Sequence, residues 1–188
     1  MKNFPTLEEI CRIAKKHSNF IHGCYIFGSR VYGNASYQSD WDIILVANHS
    51  VSESEIKHPV YNVHIIAPDA FSKQVRDNHM RAIECKLSPS LFIIKDTSDK
   101  LILKEESLRH NVSHASSNSW VKCKKKLENG EYYIGVKSMF HSLRMVDFAI
   151  QYKEKGSIDF TSSNWIWEKI NSRNDWNWED LEKEFKNY

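Results

Sequence analysis

Three absences narrow the reading of this 188-residue chain. Cysteine is scarce: Cys11, Cys24, Cys85 and Cys123 stand far apart, mostly among apolar neighbours, with no C-x-x-C pair and no Cys/His ligand spacing. That pattern argues against a metal or disulfide framework and fits reduced thiols in a cytosolic protein. No apolar run approaches the ~18 residues that span a bilayer, and the first residues, Met1-Lys2-Asn3-Phe4-Pro5, lack the apolar core of a signal peptide, so a cytoplasmic, membrane-free location is expected. Net charge is nearly absent as well. Twenty-six Lys and Arg against twenty-four Asp and Glu leave +2, which gives no general attraction for nucleic acid, so any anion site must be local. Repeats and low-complexity segments are also missing.

What remains is ordinary globular material, 41% apolar and 27% charged, enough for one α/β domain with a smaller helical partner and too little for a large further module. Thr6 and Glu9 form a capping box, and Leu7, Ile10, Ile13 and Ala14 recur at helical spacing, which predicts a first helix to about Ser18. Cys24–Phe27 reads as a strand that stops at Gly28-Ser29. Trp41–Ala47 is apolar on both faces beyond Asp42, the mark of a central covered strand. A polar turn is expected from Asn48 to His58, a third strand from Val60 to Ala67, one helix from Pro68 to about Cys85 and a short strand at Leu91–Ile94. From about Ser116 the chain reads as helical, with Val136, Met139, Leu143, Val146 and Ile150 spaced 3, 4, 3 and 4 along one seam. Two parts are expected, 1–105 with the sheet and 106–188 with helices.

The chemistry sits between the first two strands. Gly28-Ser29 is followed by ten residues and then Asp40-Trp41-Asp42, a four-position match that chance gives in roughly one chain of this length in several hundred. On a strand, residues i and i+2 point to one side, so the two carboxylates converge. Neighbouring carboxylates ionise together when a cation neutralises them, and hard oxygen donors beside a phosphate substrate select Mg²⁺ or Mn²⁺. Gly28 allows close approach of backbone to a phosphate, Ser29 can hydrogen-bond its oxygens, and Arg30 is a further phosphate partner. The plainer alternative is a simple turn followed by a solvated strand start, but an Asp42 buried at the mouth of so apolar a strand needs a cation or strong donors.

This Gly-Ser, ten-residue gap and Asp-x-Asp resembles the signature of the DNA polymerase beta superfamily, in its minimal nucleotidyltransferase branch. The resemblance is specific over Tyr25–Val46 and looser to Pro89. It implies a polymerase-beta-like α/β (α+β) fold, a mixed sheet flanked by helices and followed by a helical C-terminal part. It also implies two divalent metal ions and transfer of a nucleoside monophosphate from a nucleoside triphosphate to a hydroxyl, with release of pyrophosphate. By position, Gly28 and Ser29 bind the triphosphate and Asp40 and Asp42 hold metal. The family's third carboxylate, on the next strand, has no counterpart in Tyr61-Asn62-Val63-His64. Asn62 and His64 share a face there and could act as a weak metal ligand and a general base, although a buried histidine satisfied by the backbone reads equally well. Glu84, among apolar residues, is an alternative metal ligand.

In the helical part, Lys137, His141 and Arg144 fall at i, i+4 and i+7, three potential cations on one flank for the nucleotide's phosphates. The helix Lys137–Arg144 also resembles a K-S-x-x-H-x-x-R helix of bacterial and viral nucleotidyltransferase-like proteins. The Lys122, Lys124, Lys125 and Lys126 run reads as a solvated face, Trp165, Trp167, Trp176 and Trp178 as packing residues, and Arg109…His114 as weak ribonuclease-like spacing. The expected function is metal-dependent nucleotidyl transfer to an RNA end, a protein or a small molecule. The alternative is a catalytically silent nucleotide-binding or antitoxin-like partner. Oligomeric state is open.

Overall fold

A computed structural model describes residues 3–48 and 50–188. The chain divides between Lys104 and Glu105 into two compact units. In the first, helix α1 (Leu7–Ala14) is capped by Thr6, whose Oγ1 accepts from the Glu9 amide at 3.2 Å. It stops well before Ser18, because Lys15 takes a left-handed conformation (φ 51°) and turns its amide back to Arg12 and Cys11 carbonyls. Strand β1 (Ile21–Phe27) follows a short 3-10 turn, then come the single-turn helix α2 (Ser29–Tyr32) and β2 (Trp41–Ala47). The Asn48–His58 stretch is not a plain turn: it holds β3 (Glu53–Lys57), a strand with alternating exposed and half-buried residues. Next are β4 (Tyr61–Ile66), α3 (Pro68–Arg76), α4 (Met80–Leu87) and β5 (Ile93–Lys95).

The expected single helix over 68–85 is thus two. Asn78 breaks it at φ 52°, a left-handed position that Asn tolerates better than most residues. Its fully buried amide donates to the Val75 and Ile102 carbonyls at 3.2 and 2.9 Å and accepts from the Lys104 amide at 2.6 Å, so the break also fastens the chain leading out of this unit.

The sheet order is β3-β4-β2-β1-β5, with β2 and β4 parallel and the other pairs antiparallel. Both faces of its centre are covered. Tyr25, Ile44, Val46 and Ile66 pack with Phe71 and Val75 of α3 and Ala82 and Cys85 of α4. Alternate residues on the other face, Cys24, Ile26, Ile43, Leu45, Val63 and Ile65, are also buried. Burying a side chain of this size stabilises by about 1.5–3 kcal/mol each, and the doubly covered pair β2–β4 therefore anchors everything attached to its ends.

The second unit holds α5 (Glu105–Glu128), α6 (Tyr132–Lys155), α7 (Asn164–Asn171) and α8 (Trp178–Phe185). Helix α5 starts earlier than Ser116. The buried stripe of α6 runs through Val136, Met139, Phe140, Leu143, Phe148, Ala149 and Tyr152, so the expected seam turns away at its end: Val146 is half-buried and Ile150 is 48% exposed. Trp176 and Trp178 join the core with Ile166, Ile170, Leu181 and Phe185. The Trp176 indole N–H donates to the Ile170 carbonyl at 2.7 Å, and this satisfies its one polar atom.

Candidate active site

Strand register brings the sequence-predicted residues together. Phe27 lies opposite Asp42, and Asp42 opposite Asn62, across β1, β2 and β4. Because strand residues alternate, Asp42, Asn62 and His64 project from the same face as Ile44 and Ile66, at the end of the sheet from which β1 runs into α2. Gly28 occupies that exit with φ 80° and ψ −160°, a region open only to glycine. A Cβ there would meet Asp42 Oδ2 at 2.3 Å, so the Asp42 carboxylate lies directly over the Gly28 backbone. The turn it starts, Ser29–Tyr32, leaves its first amides without intrahelical acceptors and ends at Gly33 (φ 77°).

Asp40 is exposed and Asp42 half-buried. The Asn62 amide nitrogen stands 3.4 Å from Asp42 Oδ1 and 3.2 Å from His64 Nε2, while its buried oxygen Oδ1 has no hydrogen-bond partner among the described residues. On the neighbouring strand Glu55 lies opposite His64, its carboxylate 3.7 Å from Nε2. Partial burial lowers the His64 pKa, helped by Arg81 and Lys57, while Glu55 and Glu53 oppose the shift. The Phe27 ring meets the imidazole edge-on at 5.7 Å.

Among the described residues no three His, Cys, Asp or Glu side chains gather as a metal-ligand group. The hard oxygens at hand for Mg²⁺ or Mn²⁺ are the carboxylates of Asp40 and Asp42; Asn62 turns its amide nitrogen toward Asp42 and its oxygen is buried, so the amide must flip to serve as a ligand. Such a set fits a divalent cation of modest affinity.

Other expected residues sit differently. Glu84 is 7% exposed and accepts from the Tyr32 hydroxyl at 2.5 Å, which ties it to α2. Arg30, expected at a phosphate, donates to the Asp40 carbonyl at 3.1 Å and to the Ser39 carbonyl, with its guanidinium 4.2 Å from the Trp41 ring centre. In the helical unit, Lys137, His141 and Arg144 do not form an exposed flank of three cations. Lys137 is exposed, its ammonium 5.9 Å from the Tyr133 ring, whereas Arg144 is 6% exposed, its guanidinium near the Phe140 and Phe148 rings and donating to His141 Nδ1 at 2.9 Å. His141 keeps solvent exposure as a residue, but desolvation of its ring, followed by the charges of Arg144, Lys122 and Lys137, pushes its pKa down to about 3. Its ring is neutral at neutral pH. Arg109 and His114 are both exposed on α5.

Glu55 leaves little mark in the sequence because the polar Asn48–His58 stretch around it reads as a turn. The available signal was the polar alternation of Glu53-Ser54-Glu55-Ile56-Lys57. Trp41 and Tyr32, which fasten Arg30 and Glu84, carried no signal beyond their bulk.

The profile of the polymerase beta, nucleotidyltransferase family matches residues 8–114, more than half of the chain. The chain belongs to the polymerase beta nucleotidyltransferase family. The mixed five-stranded sheet with its flanking helices is this family's fold. Among solved structures the chain is similar to a nucleotidyltransferase-like protein from Exiguobacterium sibiricum 255-15, at 14% identity and a TM-score of 0.34, with 90% of this chain and 61% of that one covered. The chain thus spans about three-fifths of that protein's length. A search of curated proteins gave no significant match. Among the described residues, no helix of this family member is long and apolar enough to cross a membrane.

Proposed function

We propose that this nucleotidyltransferase moves a nucleoside monophosphate from a nucleoside triphosphate to a hydroxyl of an RNA end, a protein or a small molecule, releasing pyrophosphate. The observation that carries this reading is the contact of the Asp42 carboxylate with the Gly28 backbone, since it makes the phosphate-approach turn and a metal-holding carboxylate one structure. Asp40 and Asp42 would hold divalent ions, which would neutralise the triphosphate charge. Gly28 admits the phosphate against the backbone and the Ser29 hydroxyl orients it. His64 accepts the proton of the attacking hydroxyl at Nε2. The Asn62 amide, read as an N–H donor toward that nitrogen, marks Nε2 as the unprotonated one; the attacking hydroxyl takes the place of this bond to reach its single lone pair, and the lowered pKa keeps the ring neutral.

Incubation with each labelled nucleoside triphosphate, Mg²⁺ or Mn²⁺, and total RNA or protein tests the reading. Label transfer by the parent protein, abolished in Asp40→Asn and Asp42→Asn, is expected. Asn62, standing where the third carboxylate is expected, favours a second reading of a silent nucleotide-binding partner, and saturable nucleotide binding without transfer would select it.

A further inference from the structure

Of the ten residues between Ser29 and Asp40, Val31 and Tyr32 are buried, but none from Gly33 to Ser39 is and Tyr37 is 86% exposed, so the stretch from Gly33 to Ser39 has little packing of its own. Both ends of the Ser29–Asp40 segment nevertheless belong to the site. One side chain spans it. Arg30, on the single turn α2, reaches across the segment and donates from Nε to the Asp40 carbonyl at 3.1 Å and from Nη2 to the Ser39 carbonyl. Its guanidinium stacks at 4.2 Å on Trp41, which is 6% exposed and meets the Phe4 ring edge-on at 5.4 Å. The Trp41 amide in turn donates to the Val60 carbonyl at 2.8 Å, where the β2–β4 pairing begins. A planar fork with several fixed donors suits this task, because it can hold two carbonyls in one plane while its face lies on an indole.

We infer that Arg30 is a positioning residue, a clamp that holds the Asp40–Asp42 backbone at a fixed distance from the Gly28-Ser29 turn, rather than a ligand of the nucleotide phosphates. The inference rests on the proposed reading of Asp40 and Asp42 as metal-holding carboxylates. Its physical content is that two bonded carbonyls and a stacked indole fix the segment's end before any ligand arrives, so Asp40, exposed and otherwise on a loosely packed stretch, is presented preorganised. A phosphate ligand would instead leave the metal-free segment indifferent to its presence.

Arg30→Gln and Arg30→Lys separate these roles. Hydrogen exchange of peptides covering residues 33–42 is measured in metal-free protein, and Mn²⁺ affinity without nucleotide is measured by electron paramagnetic resonance. Expected for Arg30→Gln are faster exchange in that segment and an affinity for Mn²⁺ weaker by about ten- to a hundredfold, the usual cost of losing a partner that orients a metal ligand. Arg30→Lys keeps the charge without the fork and should recover only part of either effect. Unchanged exchange would overturn the clamp. Faster exchange with parental Mn²⁺ affinity would overturn its role at the site, and so would loss confined to triphosphate binding, which marks a phosphate ligand. A parent protein that binds no Mn²⁺, while Arg30→Gln still loosens the segment, would sink the metal-site reading and reduce Arg30 to a loop fastening.

Discussion

Gly28→Ala is the sharpest probe of the site, because the structure supplies both parts of its cost. At φ 80° and ψ −160° an alanine is strained by about 1–3 kcal/mol. Its Cβ would also lie 2.3 Å from Asp42 Oδ2 and 3.1 Å from Asp42 Cβ, an overlap that repacking relieves at about 1–3 kcal/mol more. Gly156→Ala provides the comparison: φ is +67° and nothing lies within 4 Å of the added methyl, so only backbone strain of about 1–2 kcal/mol applies. Urea unfolding followed by circular dichroism should therefore show a larger loss for Gly28→Ala, about 2–6 kcal/mol, with each variant read in the transition of its own unit if two appear. In an Asp42→Ala background the carboxylate is gone and the Gly28→Ala cost should shrink by about 1–3 kcal/mol, a coupling outside the error of independent sites. If the Asp42 side chain escapes by rotating, the stability cost falls but Mn²⁺-nucleotide binding is lost. A Gly28→Ala protein that is no less stable than Gly156→Ala, shows no coupling and binds nucleotide like the parent would refute the contact on which the functional reading stands.

Three further outcomes follow from other parts of the structure. His64→Ala should lower kcat far more than it raises the nucleotide dissociation constant, since a base acts in the transition state; equal losses in both, measured by steady-state kinetics and calorimetry, would return His64 to a packing role. Tyr32→Phe deletes a 2.5 Å hydrogen bond to buried Glu84 and should cost about 1.5–3 kcal/mol in denaturant unfolding, with an unchanged midpoint counting against the bond. His141 has a folded pKa of about 3, below its ordinary 6.5, so the unfolded chain binds the extra proton between those values: its contribution is present above about pH 6.5 and is lost as pH falls toward 3. His141→Gln should flatten that acid limb, and the same stability difference between pH 7 and pH 5 in variant and parent would contradict the assignment.

The fold was legible where burial dictated sequence. Strand β2 runs Trp41–Ala47 as expected, because a doubly covered strand must be apolar throughout, and β4 differs by one residue at each end. Elements whose stability comes from elsewhere were not legible. Strand β3 is held by main-chain pairing to β4 and by Gln74 and Arg81 reaching Glu53, and its own composition resembles a solvated turn. The helix break at Asn78 depends on carbonyls as distant as Ile102, which no local pattern encodes. In the site, the Gly-Ser and Asp-x-Asp pattern revealed the carboxylates because backbone constraint and charge both leave marks in residue type. Arg30's charge suggests a phosphate partner in the sequence, while the two main-chain carbonyls it donates to leave no mark there. Arg144 was placed on an exposed flank by its helical position, yet it is covered among aromatic rings, where its long stem packs.

The pairing of Asp42 with Asn62 lies in the parallel strand pair, and this sets when the site comes into being during synthesis. The Phe27–Asp42 contact needs only an antiparallel return over a short connection, so it can form once β2 has left the ribosome. Asn62 and His64 arrive only after the chain has crossed through β3 and laid β4 alongside β2. A nascent chain truncated before Tyr61 therefore carries its two aspartates without the neighbours that complete the constellation. One extended to Lys104 already holds every sheet residue of the site before any of α5 has been made.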